Sequence, residues 1–523
     1  MNIKRKLKII MTSDMHGNVL PINYGNNEKQ DLGLAKISTL IKNERKENDA
    51  TIVIDNGDLI QGTPLTYHYV KYMNSLENPM IKILNTLHYD AAVLGNHEFN
   101  YGMDVLQSAV EQSNFPWLSG NILDVKDGEP YFGKPYIIKL VDDIKIAILG
   151  MTTHYIPNWE NPVHIEGLRF EDALETTKKW AGQIREIEKP DIFIVAYHGG
   201  FERDLVTGEE TEKQTGENQA YQICQQVEGI DVLLTGHQHR SLQGIVNGVA
   251  IVQPSFNGQV LGKITLILSK ENEKWIIDEK RPELLNVRGI EPDSQVLELV
   301  REYEAETQKW LDKPIGKIEG DMTISDPMKI RLADNPLIEF INKVQMEAAG
   351  VDISNTALFN NISTGFCSNI TMRDIVSNYI YPNILHVIRI LGSDIKAALE
   401  RSAGYFSLND VGQVVVSQNF VEPKPQHYNY DMWEGIEYII DIRKPVGGRV
   451  ITLNYHGKPL DMDKEYDVVM NNYRAGGGGE YTMYQKKPLI KEIQIDMSEL
   501  LASYILERKT IRATVNHNWK VIW

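Results

Sequence analysis

Five short apolar segments in the first half of the chain each run within a few residues into a polar loop, and this pattern constrains the fold most strongly. The segments are residues 7–11, 51–54, 91–94, 192–196 and 232–234. Apolar runs of this length, followed by Gly, Asp, Asn or His, are typical of buried strands in a parallel sheet. Helical patterns over 34–45 and 103–111 separate some of them, so we predict a layered α/β domain with its functional loops at the strand ends.

The order of predicted helices and strands changes after Pro292, and this change indicates a second domain. Asp293 and Ser294 are predicted to cap a helix that Pro314 ends. Beyond it, strand patterns (436–442, 450–455 and 466–470) and helical patterns (336–348 and 394–402) follow an order unlike that of the first half. We therefore predict a first domain over 1–291, a linker helix over 292–315 and a smaller α+β domain over 316–523.

Composition narrows the possible partners. The chain has 523 residues and a net charge of −17, which disfavours a general nucleic-acid binder because an acidic surface repels polyanions. Its two cysteines cannot form a disulfide framework. No apolar stretch is long enough to span a bilayer, so no membrane association is expected. The N-terminus lacks the apolar core of a signal peptide, so we expect a cytoplasmic protein unless a leader has been removed. No sequence feature indicates an oligomeric state.

The polar loops after the five apolar runs collect an unusual set of side chains. Five of the 13 histidines lie there, together with two aspartates and one asparagine. Imidazole nitrogens with carboxylate and amide oxygens suit Mn²⁺, Fe, Zn²⁺ or Ni²⁺ better than Ca²⁺, which prefers oxygen alone. A single histidine after a strand is more often structural, but the repetition in all five loops predicts a metal centre.

Seven ligands are too many for one tetrahedral ion and suit two divalent ions that share Asp58. One ion would take Asp14, His16, Asp58 and His239, and the other would take Asp58, Asn96, His198 and His237. Two ions about 3.5–4 Å apart activate water at neutral pH and neutralise phosphate oxygens. Such a pair would supply the local positive charge that an acidic protein needs in order to bind phosphate.

With these loops in this order, the chain resembles the calcineurin-like metallophosphoesterases, in particular the two-domain nucleotidase branch, along nearly its whole length. The resemblance implies an α/β/β/α metallophosphoesterase sandwich followed by a smaller α+β 5′-nucleotidase-type C-terminal domain. It also implies the two-metal assignment given above. The histidine after the ligand asparagine, here His97, is implied to contact the phosphate and to assist the leaving group.

Within that branch, the segment GNHEFNYG at residues 95–102 is similar to the bifunctional 2′,3′-cyclic-nucleotide 2′-phosphodiesterase/3′-nucleotidases. The 5′-nucleotidase relatives usually carry aspartate where this chain has Asn100, and an amide cannot stabilise an imidazolium as a carboxylate does. Asn100 either orients His97 through a hydrogen bond or ends a turn. Segments 378–383, 399–404 and 471–479 are also similar to the cyclic group, and segment 363–370 lacks the arginine of the 5′ branch.

The resemblance further implies that the second domain binds the nucleoside. Two aromatic rings sandwich the base in the wider family, and the matching positions are Tyr381 and Tyr473; Tyr381 could instead be a core residue before Pro382. Base stacking of this kind gives loose base specificity. Asn335 and Asn383 match further nucleoside-contacting positions.

We expect hydrolysis of a 2′,3′-cyclic nucleotide to the 3′-nucleotide and then to nucleoside and phosphate. A 5′-nucleotidase or UDP-sugar hydrolase is the nearest alternative, and a decayed nucleotide-binding protein is an alternative from another class. The second half of the chain disfavours a phosphoprotein phosphatase. The acidic segment 208–218 is expected to be a solvated loop.

Overall fold

A computed structural model describes residues 4–47, 50–158, 160–212, 214–272, 274–379, 381, 383–422, 424–493 and 495–523. These residues form two compact units. The first unit comprises Met1–Asn23 and Asn27–Thr307, and the second comprises Tyr24–Asn26 and Gln308–Trp523. Within the described ranges, no helix combines the length and the apolar character needed to cross a bilayer.

The first half of the chain alternates strands and helices. Its strands are β1 (Lys4–Thr12), β2 (Thr51–Asp55), β3 (Ala91–Val93), β4 (Trp117–Leu118), β5 (Ile122–Asp124), β6 (Tyr136–Val141), β7 (Ile144–Thr152), β8 (Leu168–Phe170), β9 (Ile192–His198), β10 (Val232–Thr235), β11 (Ser241–Val246), β12 (Val249–Pro254), β13 (Val260–Glu271) and β14 (Lys274–Asn286). Its helices are α1 (Leu34–Glu47), α2 (Pro64–His68), α3 (Pro79–Thr86), α4 (Met103–Gln112), α5 (Ala173–Ile187), α6 (Ala220–Gln226), α7 (Ser294–Leu299) and α8 (Arg301–Leu311). All five predicted strands and both predicted helices are confirmed.

Two six-stranded sheets build the first unit. The first has the order β14-β13-β1-β2-β3-β4, and the second has the order β11-β12-β10-β9-β7-β6. The strands β1 to β4 run parallel to one another, as do β12, β10, β9 and β7. Since parallel strands end at the same edge of a sheet, the loops after β1, β2 and β3 emerge together, and so do those after β9 and β10.

A shared apolar core joins the two sheets face to face. Alternate side chains of β1 and β2, such as Ile9 and Ile54, lie in one buried cluster with Ile194 of β9 and Val232 of β10. On its opposite face, the second sheet packs against the buried sides of α5 and α6. The predicted layered sandwich is therefore confirmed, with apolar burial as its main stabilising contribution.

The predicted linker helix is two helices rather than one. Asp293 caps α7 through the main-chain N–H of Gln295 at 3.0 Å, as expected. The chain then leaves the helical conformation at Val300, with φ −107° and ψ 3°, before α8 begins at Arg301. The segment 292–315 thus contains a break that its apolar pattern did not indicate.

The second half has the mixed α+β character expected of it. Its strands are β15 (Pro314–Glu319), β16 (Met322–Thr323), β17 (Ile353–Ala357), β18 (Gly365–Phe366), β19 (Asn369–Thr371), β20 (Leu385–Leu391), β21 (Phe406–Leu408), β22 (Val414–Val416), β23 (Asp431–Glu434), β24 (Glu437–Asp441), β25 (Val450–Tyr455), β26 (Lys458–Pro459), β27 (Glu465–Asn471), β28 (Leu489–Ile493), β29 (Thr510–Arg512) and β30 (Trp519–Ile522). Its helices are α9 (Pro327–Leu332), α10 (Pro336–Ala349), α11 (Met372–Asn378), α12 (Gly392–Ala403), α13 (Asn472–Ala475) and α14 (Met497–Arg508).

The core of the second unit lies around two sheets. The first has five strands in the order β23-β17-β27-β20-β28, and α10 and α12 contact it. The second has four strands in the order β26-β25-β24-β30. Large aromatic side chains fill it, including Trp433 and the stacked rings of Tyr438 and Trp519 at 5.5 Å. Helix α10 begins at Pro336 behind the cap residue Asn335 and ends at Ala349, and Gly350 follows with a φ of 74° that suits glycine.

Candidate metal centre and active site

Five of the seven predicted metal ligands have left-handed backbone conformations. Asp14, His16, Asp58, His237 and His239 have φ values of 53°, 46°, 56°, 69° and 58°. Such values are uncommon for residues other than glycine and are strained, at roughly 1–3 kcal/mol each. Their concentration in the loops after β1, β2 and β10 indicates that the fold holds these side chains in a required geometry.

The loops after β1 and β10 bring the first ligand group together. The Nε2 atoms of His16 and His239 lie 3.0 Å apart, and His239 Nε2 lies 3.5 Å from Asp14 Oδ1. One carboxylate oxygen of Asp58 is 4.0 Å from His16 Nε2. Asp14 and Asp58 are fully buried, so few water molecules can screen these charges.

A second ligand group forms around the same Asp58. Its Oδ2 atom lies 3.2 Å from His198 Nε2. The amide oxygen of Asn96 lies 3.3 Å from His198 Nε2 and 2.8 Å from His237 Nδ1. Asp58 therefore stands in both groups, which is the position expected of a carboxylate shared by two ions.

The chemistry of the donors fits a pair of cations. His198 Nδ1 donates to the main-chain oxygen of Asn56 at 2.7 Å, and His237 Nε2 donates to Glu217 at 2.8 Å. These bonds leave lone pairs on His198 Nε2 and His237 Nδ1, and both lone pairs face the Asn96 oxygen. Acceptors facing one another at such distances are satisfied by a shared cation.

Glycine keeps the space beside this cluster open. A Cβ atom at Gly95 would lie 2.3 Å from Asp58 Oδ1 and 2.8 Å from His198 Cε1. Any larger residue at this position would displace Asp58 or His198. The close approach of the main chain explains why glycine precedes Asn96 in the loop after β3.

Electrostatics sets different protonation states at the predicted ligands. Burial lowers the pKa of the His16 imidazole to about 3, so the ring is neutral. Burial acts to raise the pKa of the Asp58 carboxyl, but the imidazoles of His198 and His97 hold it well below its usual range. The carboxylates are thus ionised and the His16 ring is neutral, whereas burial lowers the pKa of His198 but Asp58 raises it to about 10, so a cation bound at His198 Nε2 would take the place of a proton.

His97 lies at the edge of this centre on a short 3₁₀ turn, His97–Phe99. Its main-chain N–H donates to Asp58 Oδ1 at 2.8 Å, and its ring meets the ring of His16 at 5.2 Å. Its Nδ1 atom lies 2.7 Å from the side-chain oxygen of Asn100. This contact favours the first interpretation of Asn100, that it orients His97, and the catalytic roles of both residues stay predictions.

In the second unit, a third tyrosine accompanies the two expected to stack on the base. The ring of Tyr428 lies 6.5 Å from the ring of Tyr381 and 6.5 Å from that of Tyr473, at steep angles to both. Tyr381 also meets Phe359 edge to face at 5.6 Å. Tyr428 follows no strand pattern in the sequence, so its place beside the other two rings could not be inferred.

The two predicted asparagines have local structural partners. Asn335 accepts the N–H of Ile338 at 3.1 Å and donates to the oxygen of Ile330 at 3.0 Å, so its buried side chain caps α10. The main chain of Asn383 bonds to Tyr381 at 2.8 Å. Their contacts with a nucleoside stay predictions, and Asn335 would have to give up a capping bond to make one.

The acidic segment 208–218 does more than form the solvated loop expected of it. Its described residues include Glu217, which supports His237, and Glu212, which accepts hydrogen bonds from Asn218 and Gln238, each at 2.8 Å. Burial raises the pKa of Glu212 to about 7. The contacts with His237 and Gln238 join residues 20 and 26 positions apart, which no local sequence pattern indicates.

Comparison with protein families gives two matches along the chain. The family described as calcineurin-like phosphoesterase matches residues 7–241, which include all seven predicted metal ligands. The family described as 5′-nucleotidase, C-terminal domain, matches residues 314–486, which include Tyr381 and Tyr473.

Individual proteins are similar over nearly the whole chain. A trifunctional nucleotide phosphoesterase protein, YfkN, of Bacillus subtilis (strain 168) is 28% identical over 98% of this chain, which spans 39% of the length of that protein. A 2′,3′-cyclic-nucleotide 2′-phosphodiesterase/3′-nucleotidase of Salmonella typhimurium is 29% identical over 90% of this chain and 81% of its own. A solved structure from Staphylococcus aureus, provisionally named a 5′-nucleotidase and determined with alpha-ketoglutarate, is 34% identical with a TM-score of 0.91, over 99% of this chain and 100% of the other.

Proposed function

We infer that this chain, which belongs to the calcineurin-like phosphoesterases that carry a 5′-nucleotidase C-terminal domain, hydrolyses phosphoesters of nucleotides. The observation that carries this function is the convergence of five loops around Asp58, which brings the seven predicted metal ligands together beside His97. The B. subtilis and S. typhimurium relatives, named for nucleotide phosphoester chemistry, support the same conclusion.

A pair of divalent ions is the cofactor in this proposal. Asp14, His16, Asp58 and His239 would hold one ion, and Asp58, Asn96, His198 and His237 would hold the other. Such ions, when bound, supply positive charge to phosphoryl oxygens and lower the pKa of water. The protein contributes fixed ligand directions, since Asn56 and Glu217 orient the rings of His198 and His237.

His97 is the proposed general acid. Its main-chain bond to Asp58 fixes it beside the metal centre, while Asn100 holds its Nδ1 atom. The opposite ring nitrogen, Nε2, then meets the ester oxygen that leaves as the P–O bond breaks, and gives it a proton. General acids of this kind contribute about 10²–10⁴-fold to rate.

The second unit is proposed to bind the nucleoside through aromatic contacts. Tyr381 and Tyr473 offer ring faces for a base, and Tyr428 beside them widens the aromatic surface. Stacking contributes about 1–3 kcal/mol per base and tolerates every base. Asn383 is the polar contact proposed beside these rings, and Asn335 a further one.

The favoured substrate is a 2′,3′-cyclic nucleotide, followed by its 3′-nucleotide product. Two features of the chain support this choice over a 5′-nucleotide, namely Asn100 in place of an aspartate and the absence of arginine from segment 363–370. The S. typhimurium relative carries both activities in its name. The 5′-nucleotidase function remains the second candidate because the S. aureus structure, at 34% identity, is provisionally named for it.

A substrate panel with added Mn²⁺ separates the candidates. Phosphate release from 2′,3′-cyclic AMP, 3′-AMP and 5′-AMP would be compared at equal concentrations. We expect kcat/KM to be at least about tenfold higher for 3′-AMP than for 5′-AMP, equal to ~1.4 kcal/mol of transition-state discrimination. The reverse order would establish the 5′-nucleotidase, and binding without turnover of any substrate would favour the decayed binding protein.

A further inference from the structure

The side chain of Asn100 connects His97 to a second residue, Glu160, which lies far away in the sequence. His97 Nδ1 lies 2.7 Å from Asn100 Oδ1, and Asn100 Nδ2 donates to Glu160 Oε2 at 2.6 Å. Glu160 is itself firmly held, because its Oε1 atom accepts the N–H of Asn161 and faces His164 Nδ1, both at 2.9 Å. Its side chain is only 6% exposed.

This connection fixes which way the Asn100 amide points. An ionised carboxylate only accepts hydrogen bonds, so the NH₂ group of Asn100 must face Glu160 and its oxygen must face His97. The His97 Nδ1 atom must then carry a hydrogen, because an amide oxygen is also only an acceptor. Nε2 is left as the ring nitrogen that faces away from Asn100.

The amide of Asn100 alone would not fix which ring nitrogen of His97 carries the hydrogen. Without the carboxylate, Asn100 could rotate and offer its NH₂ group to Nδ1, which would place the ring hydrogen on Nε2 of a neutral imidazole. A neutral ring in that state is too weak an acid to protonate the leaving group, because losing its one hydrogen would leave an imidazolate. The chain has an amide rather than a carboxylate at position 100. Glu160 supplies a carboxylate instead, one hydrogen bond farther from the His97 ring.

We propose that Glu160 is a positioning residue for the leaving-group proton transfer, acting on His97 through the amide of Asn100. The inference rests on the proposed function of His97 as general acid. It assigns to the loop before His164 a role in the reaction, and it explains how a chain with Asn100 keeps a directed imidazole.

The first test compares Glu160→Gln with wild type on two kinds of substrate. A glutamine can donate or accept, so it removes the constraint on Asn100 without changing the volume. We expect kcat on 3′-AMP to fall about 10–100-fold, a part of the ~10²–10⁴-fold from general acid catalysis, with KM changed less than about twofold. Hydrolysis of p-nitrophenyl phosphate, whose leaving group departs without a proton, should change less than about twofold.

The second test moves the carboxylate from position 160 to position 100. Asn100→Asp alone places two carboxylates in contact and should lower kcat on 3′-AMP, because like charges at this distance repel. The double variant Asn100→Asp with Glu160→Gln lets the aspartate accept from His97 and the glutamine donate to it. We expect this double variant to recover most of the kcat that Glu160→Gln loses, which a purely structural role for Glu160 would not produce.

Controls separate the possible failures. Glu166→Gln, at an exposed glutamate of the same loop, should leave kcat unchanged, and metal content and Tm should match wild type in every variant. Equal losses on both substrates, an unchanged kcat on 3′-AMP, or no rescue by the double variant would overturn the role of Glu160. Wild-type turnover of p-nitrophenyl phosphate with none of any nucleotide would instead refute the proposed function.

Discussion

The carboxylate of Glu98 accepts the main-chain N–H of Asp58 over 2.8 Å and so ties the loop after β3 to the loop after β2. The same carboxylate accepts the N–H groups of Leu59 at 2.6 Å and Gly95 at 2.7 Å. Glu98 is fully buried. One side chain therefore joins the loop that carries Asp58, the predicted shared ligand, to the loop that carries Asn96 and His97.

Replacing Glu98 by glutamine should disturb this support. The NH₂ group of the new side chain would face N–H donors and leave at least one of them unsatisfied, at about 1–3 kcal/mol per donor. We expect Glu98→Gln to lower the thermal midpoint and to reduce bound metal, measured by scanning calorimetry and elemental analysis. Glu111→Gln, at an exposed glutamate of α4, should do neither; equal effects of the two substitutions would contradict the supporting role of Glu98.

Replacing His97 should separate chemistry from metal binding. His97→Asn removes the proposed proton donor but no predicted metal ligand, so kcat on 3′-AMP should fall about 10²–10⁴-fold while metal content stays the same. The matched control is His88→Asn, because His88 is exposed and its φ of 52° is tolerated by asparagine. Turnover of the His97 variant near the wild-type rate would remove His97 from the reaction.

Glu217 offers a test of the support behind the ligands. Its carboxylate accepts from His237 Nε2 at 2.8 Å, which directs His237 Nδ1 toward Asn96 and the position proposed for the second ion. Losing such a partner typically weakens metal affinity about 10–100-fold. We expect this loss for Glu217→Gln in a Mn²⁺ titration followed by calorimetry, whereas Glu209→Gln, at an exposed residue of the same segment, should bind as wild type does.

Local patterns predict the five strands and place the seven predicted ligands in the loops that follow them, because a short apolar run that ends in polar residues marks the end of a buried strand. The apolar run 232–234, for example, was enough to place His237 and His239 at the end of β10. Glu217 and Glu160 escaped prediction because their partners, His237 and Asn100, lie 20 and 60 residues away. Such contacts depend on how loops meet, which periodicity does not encode.

Periodicity also did not indicate the break within the predicted linker helix. The apolar pattern from Val296 to Tyr303 continues across Val300, so it predicted one helix, whereas the main chain breaks there. Glu98 lies within the GNHEFNYG segment, but no local pattern distinguishes it, because its role depends on three main-chain N–H groups that converge on its carboxylate. These N–H groups belong to the loops after β2 and β3, so their convergence depends on how the two loops meet.

A buried ion pair beside the tyrosine rings of the second unit should be essential for stability. Arg474 Nε lies 2.8 Å from Asp431 Oδ2, and Arg474 also donates to the main-chain oxygen of Tyr428 at 2.8 Å. Removing one partner of a buried pair costs about 3–5 kcal/mol, because the other charge stays buried. We expect Asp431→Asn to lower stability by this order in urea unfolding, and Asp410→Asn, at an exposed position, to leave it unchanged.

A cluster of three buried carboxyl groups in the second unit should make stability depend on pH. Asp334, Glu339 and Glu434 lie within 4.8 Å of one another, with Lys343 paired to Glu339. Burial raises the pKa of Glu434 to about 8, a shift that Asn516 opposes by donating to it. The charges of Asp334 and Glu339 raise the pKa of Glu434 further, and the charge of Lys343 lowers it.

The sign of the effect follows from proton binding. Since the folded protein holds a proton on Glu434 that the unfolded chain releases near its ordinary pKa, the stabilising contribution is complete below about pH 4.5 and declines up to about pH 8, by at most ~1.4 kcal/mol per pH unit. Glu434→Gln should therefore lessen the decline in unfolding free energy between pH 5 and 8, while buried carboxyl groups with raised pKa values, such as Asp334 and Glu212, keep the rest of the slope. Urea unfolding at several pH values measures this slope, and Glu437→Gln, at the exposed start of β24, should keep the wild-type slope. A slope unchanged by Glu434→Gln would mean that Glu434 is ionised in the folded protein, held by Lys343 or by a bound cation.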